Sequence, residues 1–264
     1  MTNRYIPNRG DGETVMNDIL DRLDRAKAEV AEIIAKARFD RTLELNLSDK
    51  YLTRLPDSIT ELVELTNLNL FKNSFISLSA DIGRLVSLTS LNLSYNLLTS
   101  LPNDIGNLSK LTRLILSGNR LIILPDDIGN LLNLVTLGLN ENQLGNLPSN
   151  IGNLFNLTTL HLGGNQLTSL PSSIGNLTSL SHLYIQNNQL TSLPETFSNL
   201  SSLIYLDLDE NPVVDLSAVH NLEKLETVNF FNVALTRRYW TKFSEWKPEW
   251  LLDENNAEIR RVLI

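Results

Sequence analysis

Six residues in the second half of this 264-residue chain carry side chains suited to chemistry or to recognition: His161, His182, Tyr184, Tyr205, Asp207 and Asp209. Two imidazoles beside two carboxylates are the ingredients of a metal site. Two tyrosines beside the same carboxylates are the ingredients of a contact surface that selects a basic partner. Which chemistry applies depends on where the backbone places them. A thiolate nucleophile is excluded, because the chain has no cysteine, and with it goes cysteine-type ubiquitin ligase or protease chemistry. Gly118 and the pair Gly163-Gly164 lack the following Lys-Ser/Thr that a phosphate-cradling loop needs.

The positioning element is a repeat. Asn73, Asn96, Asn119, Asn142, Asn165, Asn188 and Asn211 stand at a constant step of 23 residues. An apolar frame travels with them, from Leu65, Leu68, Leu70 and Phe75 to Leu203, Leu206, Leu208 and Val213. This is the pattern L-x-x-L-x-L-x-x-N-x-L, and it describes a coil that completes one circuit per repeat so that each leucine lies over its predecessor. The inward asparagine has a donor and an acceptor to offer backbone groups that would otherwise be buried unpaired. Six prolines, Pro56, Pro102, Pro125, Pro148, Pro171 and Pro194, recur six residues after the Asn position, with Ser79 once in their place. They predict short turns or 3₁₀ pieces outside and a strand inside, an α/β repeat solenoid.

In such a strand alternate side chains leave the core for the concave face. His161, Tyr184 and Asp207 then share one column across the coils, and His182 and Tyr205 share the next. His161 and Asp207 are two strands apart, about 9.6 Å, too wide for one metal ion without converging side chains. The expectation is therefore no metal, no cofactor and no catalytic site, with His161, His182, Tyr184, Tyr205, Asp207 and Asp209 as contacts for a protein or peptide, a basic one in particular. The competing reading is that solvated strands simply tolerate such residues.

The domain plan places a disordered start at 1–12, an N-terminal capping helix at 13–41, a solenoid of nine coils at 42–234 and a C-terminal helical cap at 235–264. Val15, Ile19, Leu23, Ala26, Val30, Ile33 and Ala37 recur at helical spacing. This helix either closes the first coil or forms a dimerising coiled coil; its short periodic stretch, leading straight into the first repeat, favours the cap and a monomer. Lys50 occupies the first Asn position, as suits an atypical terminal repeat. After Asn211 the pattern continues only if one residue is dropped, giving a ninth coil of about 22 residues, with Val233 at the Asn position. Trp240, Trp246 and Trp250 then cluster with Tyr239 and Phe243, either to cover the open end or as an exposed aromatic patch. The apolar end at Ile264 suggests a truncated cap.

Net charge is −8, which repels a phosphate backbone, so neither nucleic acid nor an anionic membrane is an expected partner. No run is long and apolar enough to span a membrane, and the first residues do not resemble a secretory signal. Together with the missing disulfides this predicts a cytoplasmic protein.

The string LPSSIGNLTSLSHLYIQNNQLTSLP, residues 170–194, resembles the 23-residue leucine-rich repeats of bacterial proteins and of Ras-associated scaffold proteins. The tail PEWLLDENNAEIRRVLI is similar to segments that follow such repeats in cyanobacterial proteins. The resemblance implies a curved right-handed horseshoe with a concave parallel sheet, acting as a non-catalytic protein–protein interaction module; the near-identity of neighbouring coils points to a bacterial set. The alternative is the regulatory or targeting arm of a larger signalling enzyme of the GTPase or kinase class. Carbohydrate recognition through the aromatic column is a third option, disfavoured by the missing signal peptide.

Overall fold

Once per repeat the chain extends for three residues and pairs with the same three of its neighbours. The computed structural model of the protein describes residues 12–213, 215–219 and 221–230. The strands are β1 (Glu44–Asn46), β2 (Asn67–Asn69), β3 (Ser90–Asn92), β4 (Arg113–Ile115), β5 (Thr136–Gly138), β6 (Thr159–His161), β7 (His182–Tyr184), β8 (Tyr205–Asp207) and β9 (Thr227–Asn229). They form one parallel sheet in sequence order. The register advances by 23 residues per strand, for example Leu114 opposite Leu137. Between β8 and β9 it advances by 22, Tyr205 opposite Thr227, which is the dropped residue seen in the sequence.

The central residue of each strand from Leu45 to Leu206 is buried, and the leucines of successive coils make one continuous core. The outer wall is a series of five-residue 3₁₀ segments, among them Asn103–Asn107, Asp126–Asn130 and Ser149–Asn153. Among the described residues six of the seven five-residue segments begin after a proline whose φ suits the turn, as at Pro125 with φ −66°. Where Ser79 stands in, its hydroxyl accepts the N–H of Asp81 at 3.2 Å and caps the segment instead. Ile82, Ile105, Ile128, Ile151, Ile174 and Phe197 point inward from this wall and are fully buried.

The outer segments lie close. A Cβ added at Gly83, Gly106, Gly129, Gly152 or Gly175 would come within 2.2–2.6 Å of a backbone carbonyl oxygen in the next coil. That approach is too near for any side chain, so glycine at this position sets the outer spacing.

The asparagines knit the coils together. Asn142 is typical: its Oδ1 accepts the Leu121 N–H at 3.0 Å, and its Nδ2 donates to the carbonyls of Leu116 at 3.1 Å and Leu139 at 3.0 Å. Leu139 O also receives Asn165 Nδ2 at 3.0 Å, so carbonyls along the array are shared between the amides of consecutive coils. The residue before each Asn is in the left-handed region, and Gly118 and Gly164 occupy this position, with φ 69° and 67°. Their role is conformational.

The helix α1 (Gly12–Phe39) precedes the sheet. Val30, Ile34 and Ala37 are buried in the core that the coils share, with Ile33 partly buried. The spacing had pointed to Ile33; an i, i+4, i+7 stripe from Val30 puts Ile34 at the centre instead. Its charges reach across to the coils: Lys50 Nζ lies 2.6 Å from Glu29, and Arg38 pairs with Glu61. Thus Lys50, at the position of the missing first asparagine, ties the first coil to the helix. The expected disorder of 1–12 lies outside the described residues up to Asp11. So do Val233, the tryptophan cluster and the cap at 235–264.

Candidate functional site

Strand register decides which side chains meet. His161 of β6 is directly opposite Tyr184 of β7, and Tyr184 is opposite Asp207 of β8. His182 is opposite Tyr205 in the neighbouring column. The rings of His161 and Tyr184 stack at 4.6 Å between centroids with planes 13° apart. Tyr184 and Tyr205 follow at 5.0 Å and 39°, and His182 and Tyr205 at 6.1 Å and 22°. Two of the three pairs are stacked and the Tyr184–Tyr205 pair is tilted, and contacts of this kind hold the rings against one another.

Polar neighbours fix the stack. Ser181 Oγ lies 2.8 Å from His182 Nδ1, and Asn229 Nδ2 donates to the Tyr205 hydroxyl at 2.8 Å. Asp207 Oδ1 accepts the N–H of Asp209 at 3.1 Å. Asn46, Asn69 and Asn92 make the same local bond to the residue two ahead. The column is thus structural at both ends, whereas Ile115, Gly138, His161 and Tyr184 replace the turn-forming side chain in the coils between.

Glycines level this middle stretch. A Cβ at Gly138 would lie 3.1 Å from Ile115, and one at Gly163 would lie 2.6 Å from the Gln186 amide. Ile115 and Gln186 therefore lean over the glycines from either side. Gln186 Oε1 is buried with no hydrogen-bond partner.

Burial sets the electrostatics. The Asp207 carboxyl is raised above its ordinary value of 3.8 by burial, against the lowering pull of the Asp209 N–H and the Asn229 amide. Tyr205 is raised by burial and then by Asp207, Tyr184 and Asp209, with the Asn229 hydrogen bond opposing. His161 is lowered below 6.5 by burial, then by the Arg113 guanidinium and by His182. Among the described residues no three of His, Cys, Asp or Glu stand together as metal ligands.

The structure brings five of the six sequence-derived residues into one stacked and hydrogen-bonded group. Asp209 joins through its backbone N–H and through its charge on Tyr205. Sequence reasoning missed Arg113, Asn229, Gln186 and Ser181. The signal for Arg113 was present: it is the only Lys or Arg at an outward position of the described strands.

Two family models match the chain, one described as a leucine-rich repeat over residues 65–121 and one as a leucine-rich repeat region over residues 123–248. The chain belongs to the leucine-rich-repeat family. No curated protein matches the sequence. Among solved structures, it is similar to a leucine-rich-repeat protein of Leptospira interrogans, with 29% identity, TM-score 0.71 and coverage of 78% of this chain and 58% of that one. The Arabidopsis receptor kinase HAESA, solved in complex with the peptide hormone IDA and the co-receptor SERK1, is 31% identical, with TM-score 0.64, over 75% of this chain and 35% of that one. Internalin C2 of Listeria monocytogenes is 26% identical, with TM-score 0.64, over 73% of this chain and 83% of that one. The leucine-rich-repeat protein thus spans less than two thirds of the first two relatives. Leucine-rich-repeat domains are in general protein-interaction modules without catalytic chemistry. No described helix is long and apolar enough to cross a membrane.

Proposed function

We propose that this leucine-rich-repeat protein binds a protein or peptide partner on its concave face over coils six to eight, with His161, His182, Tyr184, Tyr205, Asp207 and Asp209 as the contacts and no reaction catalysed. The observation that carries this function is the ring group His161–Tyr184–Tyr205 set beside Asp207, a half-buried carboxyl without an ion-pair partner among the described residues. Rigid tyrosines supply contact area at small entropic cost, and an unneutralised carboxylate favours a basic partner. The relative HAESA is a peptide-bound member of the same fold, which lends support by analogy. A cysteine-free chain suits an intracellular setting.

The test is quantitative affinity capture with the parent and with the triple variant Tyr184→Ala/Tyr205→Ala/Asp207→Ala. These side chains lie outside the leucine core, so the variant should retain its fold by circular dichroism. Partners enriched by the parent should be lost from the variant. Undiminished capture by a folded variant refutes this placement.

A further inference from the structure

Charge is distributed along the concave face with a polarity. From β4 to β8 the outward positions, counted to two residues past each strand, carry three formal charges: Arg113 at one end, and Asp207 and Asp209 at the other. Between them lie Gly138, His161 and Tyr184, and the leaning Ile115 and Gln186 complete a level, mostly uncharged floor. Arg113 is exposed, and among the described residues neither it nor Asp207 has an ion-pair partner. The Arg113 field reaches along the face, since it contributes to holding His161 below its ordinary pKa.

We propose that this surface selects an extended peptide segment by charge spacing: a basic side chain at Asp207 and an acidic side chain at Arg113, about six residues apart. The spacing follows from the backbone. Four strand steps of about 4.8 Å, with an offset of two residues along the strand, separate the two sites by about 20 Å. An extended chain advances about 3.3 Å per residue, so about six residues cover that distance. Six is even, which places both side chains on the same side of an extended segment. The uncharged residues between them rest on the rings and the glycine floor. One end alone would attract any basic or any acidic chain; the pair excludes segments of a single charge sign, because like charges face one another at one end. This specificity rests on the concave-face function proposed above.

A random-peptide library displayed on phage, selected against the purified protein, tests it. Selected sequences should pair Lys or Arg with Asp or Glu about six positions apart, and synthetic versions should lose binding to the Tyr184→Ala/Tyr205→Ala variant. Arg113→Glu should weaken those peptides about tenfold, because a favourable rim pair becomes a repulsive one. Changing the peptide's acidic residue to Lys should restore binding to that variant. Peptides that depend on Tyr184 and Tyr205 but show no charge pairing, or that bind Arg113→Glu unchanged, overturn the spacing rule and leave the concave site standing. Peptides that bind the double-tyrosine variant as well as the parent, or no enrichment at all, overturn both.

Discussion

Replacing Asn142 with leucine tests what holds the coils together. The substitution removes the two shortest donated hydrogen bonds, to Leu116 O and Leu139 O, a longer 3.2 Å contact to Asn140 O, which keeps the Gly118 N–H at 2.9 Å, and the acceptor of the Leu121 N–H. The two carbonyls are insured: Leu116 O keeps Asn119 Nδ2 at 2.8 Å and Leu139 O keeps Asn165 Nδ2 at 3.0 Å. Only the Leu121 N–H is left buried and unpaired. The two lost bonds cost about 1 kcal/mol each and the orphaned donor about 1–3 kcal/mol. Burying the leucine returns about 2 kcal/mol, which leaves a net loss of about 1–3 kcal/mol, or about 2–4 °C in Tm per kcal/mol at this size. Asn73→Leu should do more local damage. Asn73 Oδ1 accepts both the Lys50 and the Leu52 N–H, and its amide donates to Leu47 O at 2.8 Å, where no first-coil asparagine shares the load. Urea unfolding followed by circular dichroism measures the first effect. Amide exchange in the first coil measures the second, because a terminal coil can open alone. An Asn142→Leu protein as stable as the parent, or unchanged exchange at Leu52 in Asn73→Leu, refutes the bonding scheme.

Gly129→Ala should lower the urea midpoint by an amount equivalent to about 1–3 kcal/mol, since its Cβ would lie 2.5 Å from Asn150 O. Gly145→Ala, with nothing within 4 Å, should leave the midpoint unchanged. In an NMR titration His161 should ionise below 6.5, and Arg113→Ala should raise its pKa; titration at or above 6.5 in the parent contradicts the burial assigned to it. Because the folded pKa is the lower one, the His161 contribution to stability is present above 6.5 and is lost as pH falls through the folded value. Asp207 has the opposite sign: its folded pKa is raised, so its charge costs stability at neutral pH, and the cost disappears as pH falls below 3.8. Asp207→Asn should accordingly raise the urea midpoint near neutral pH while weakening a basic ligand, and a lowered midpoint would contradict that sign.

The solenoid was legible because its core is periodic. The asparagine comb, the outer prolines and the shortened ninth coil all follow from a backbone that repeats, and the register from β1 to β9 reproduces them. The columns of the concave face were legible for the same reason: a step of one coil puts His161 beside Tyr184 and His182 beside Tyr205. What the period does not encode is the direction in which an unrepeated side chain leans. Gln186 and Ile115 fold over glycines in adjoining coils, which depends on local space rather than on pattern. Ile34 rather than Ile33 centres the helix face because docking on the first coil, not helical spacing alone, chooses between adjacent residues. The outer glycines were visible in five coils, but their purpose emerges only when the facing carbonyls are seen.

Those glycines govern the bend of the molecule. Strand pairing pins the inner spacing at about 4.8 Å, while the outer spacing is set by how near one 3₁₀ segment can come to the next with no side chain between them. Curvature is the mismatch of these two pitches. Methyl groups added along the back would widen the outer pitch alone, tighten the arc, and draw Arg113 toward Asp207 without altering either residue. The aperture presented to a ligand is thus tuned from the opposite wall.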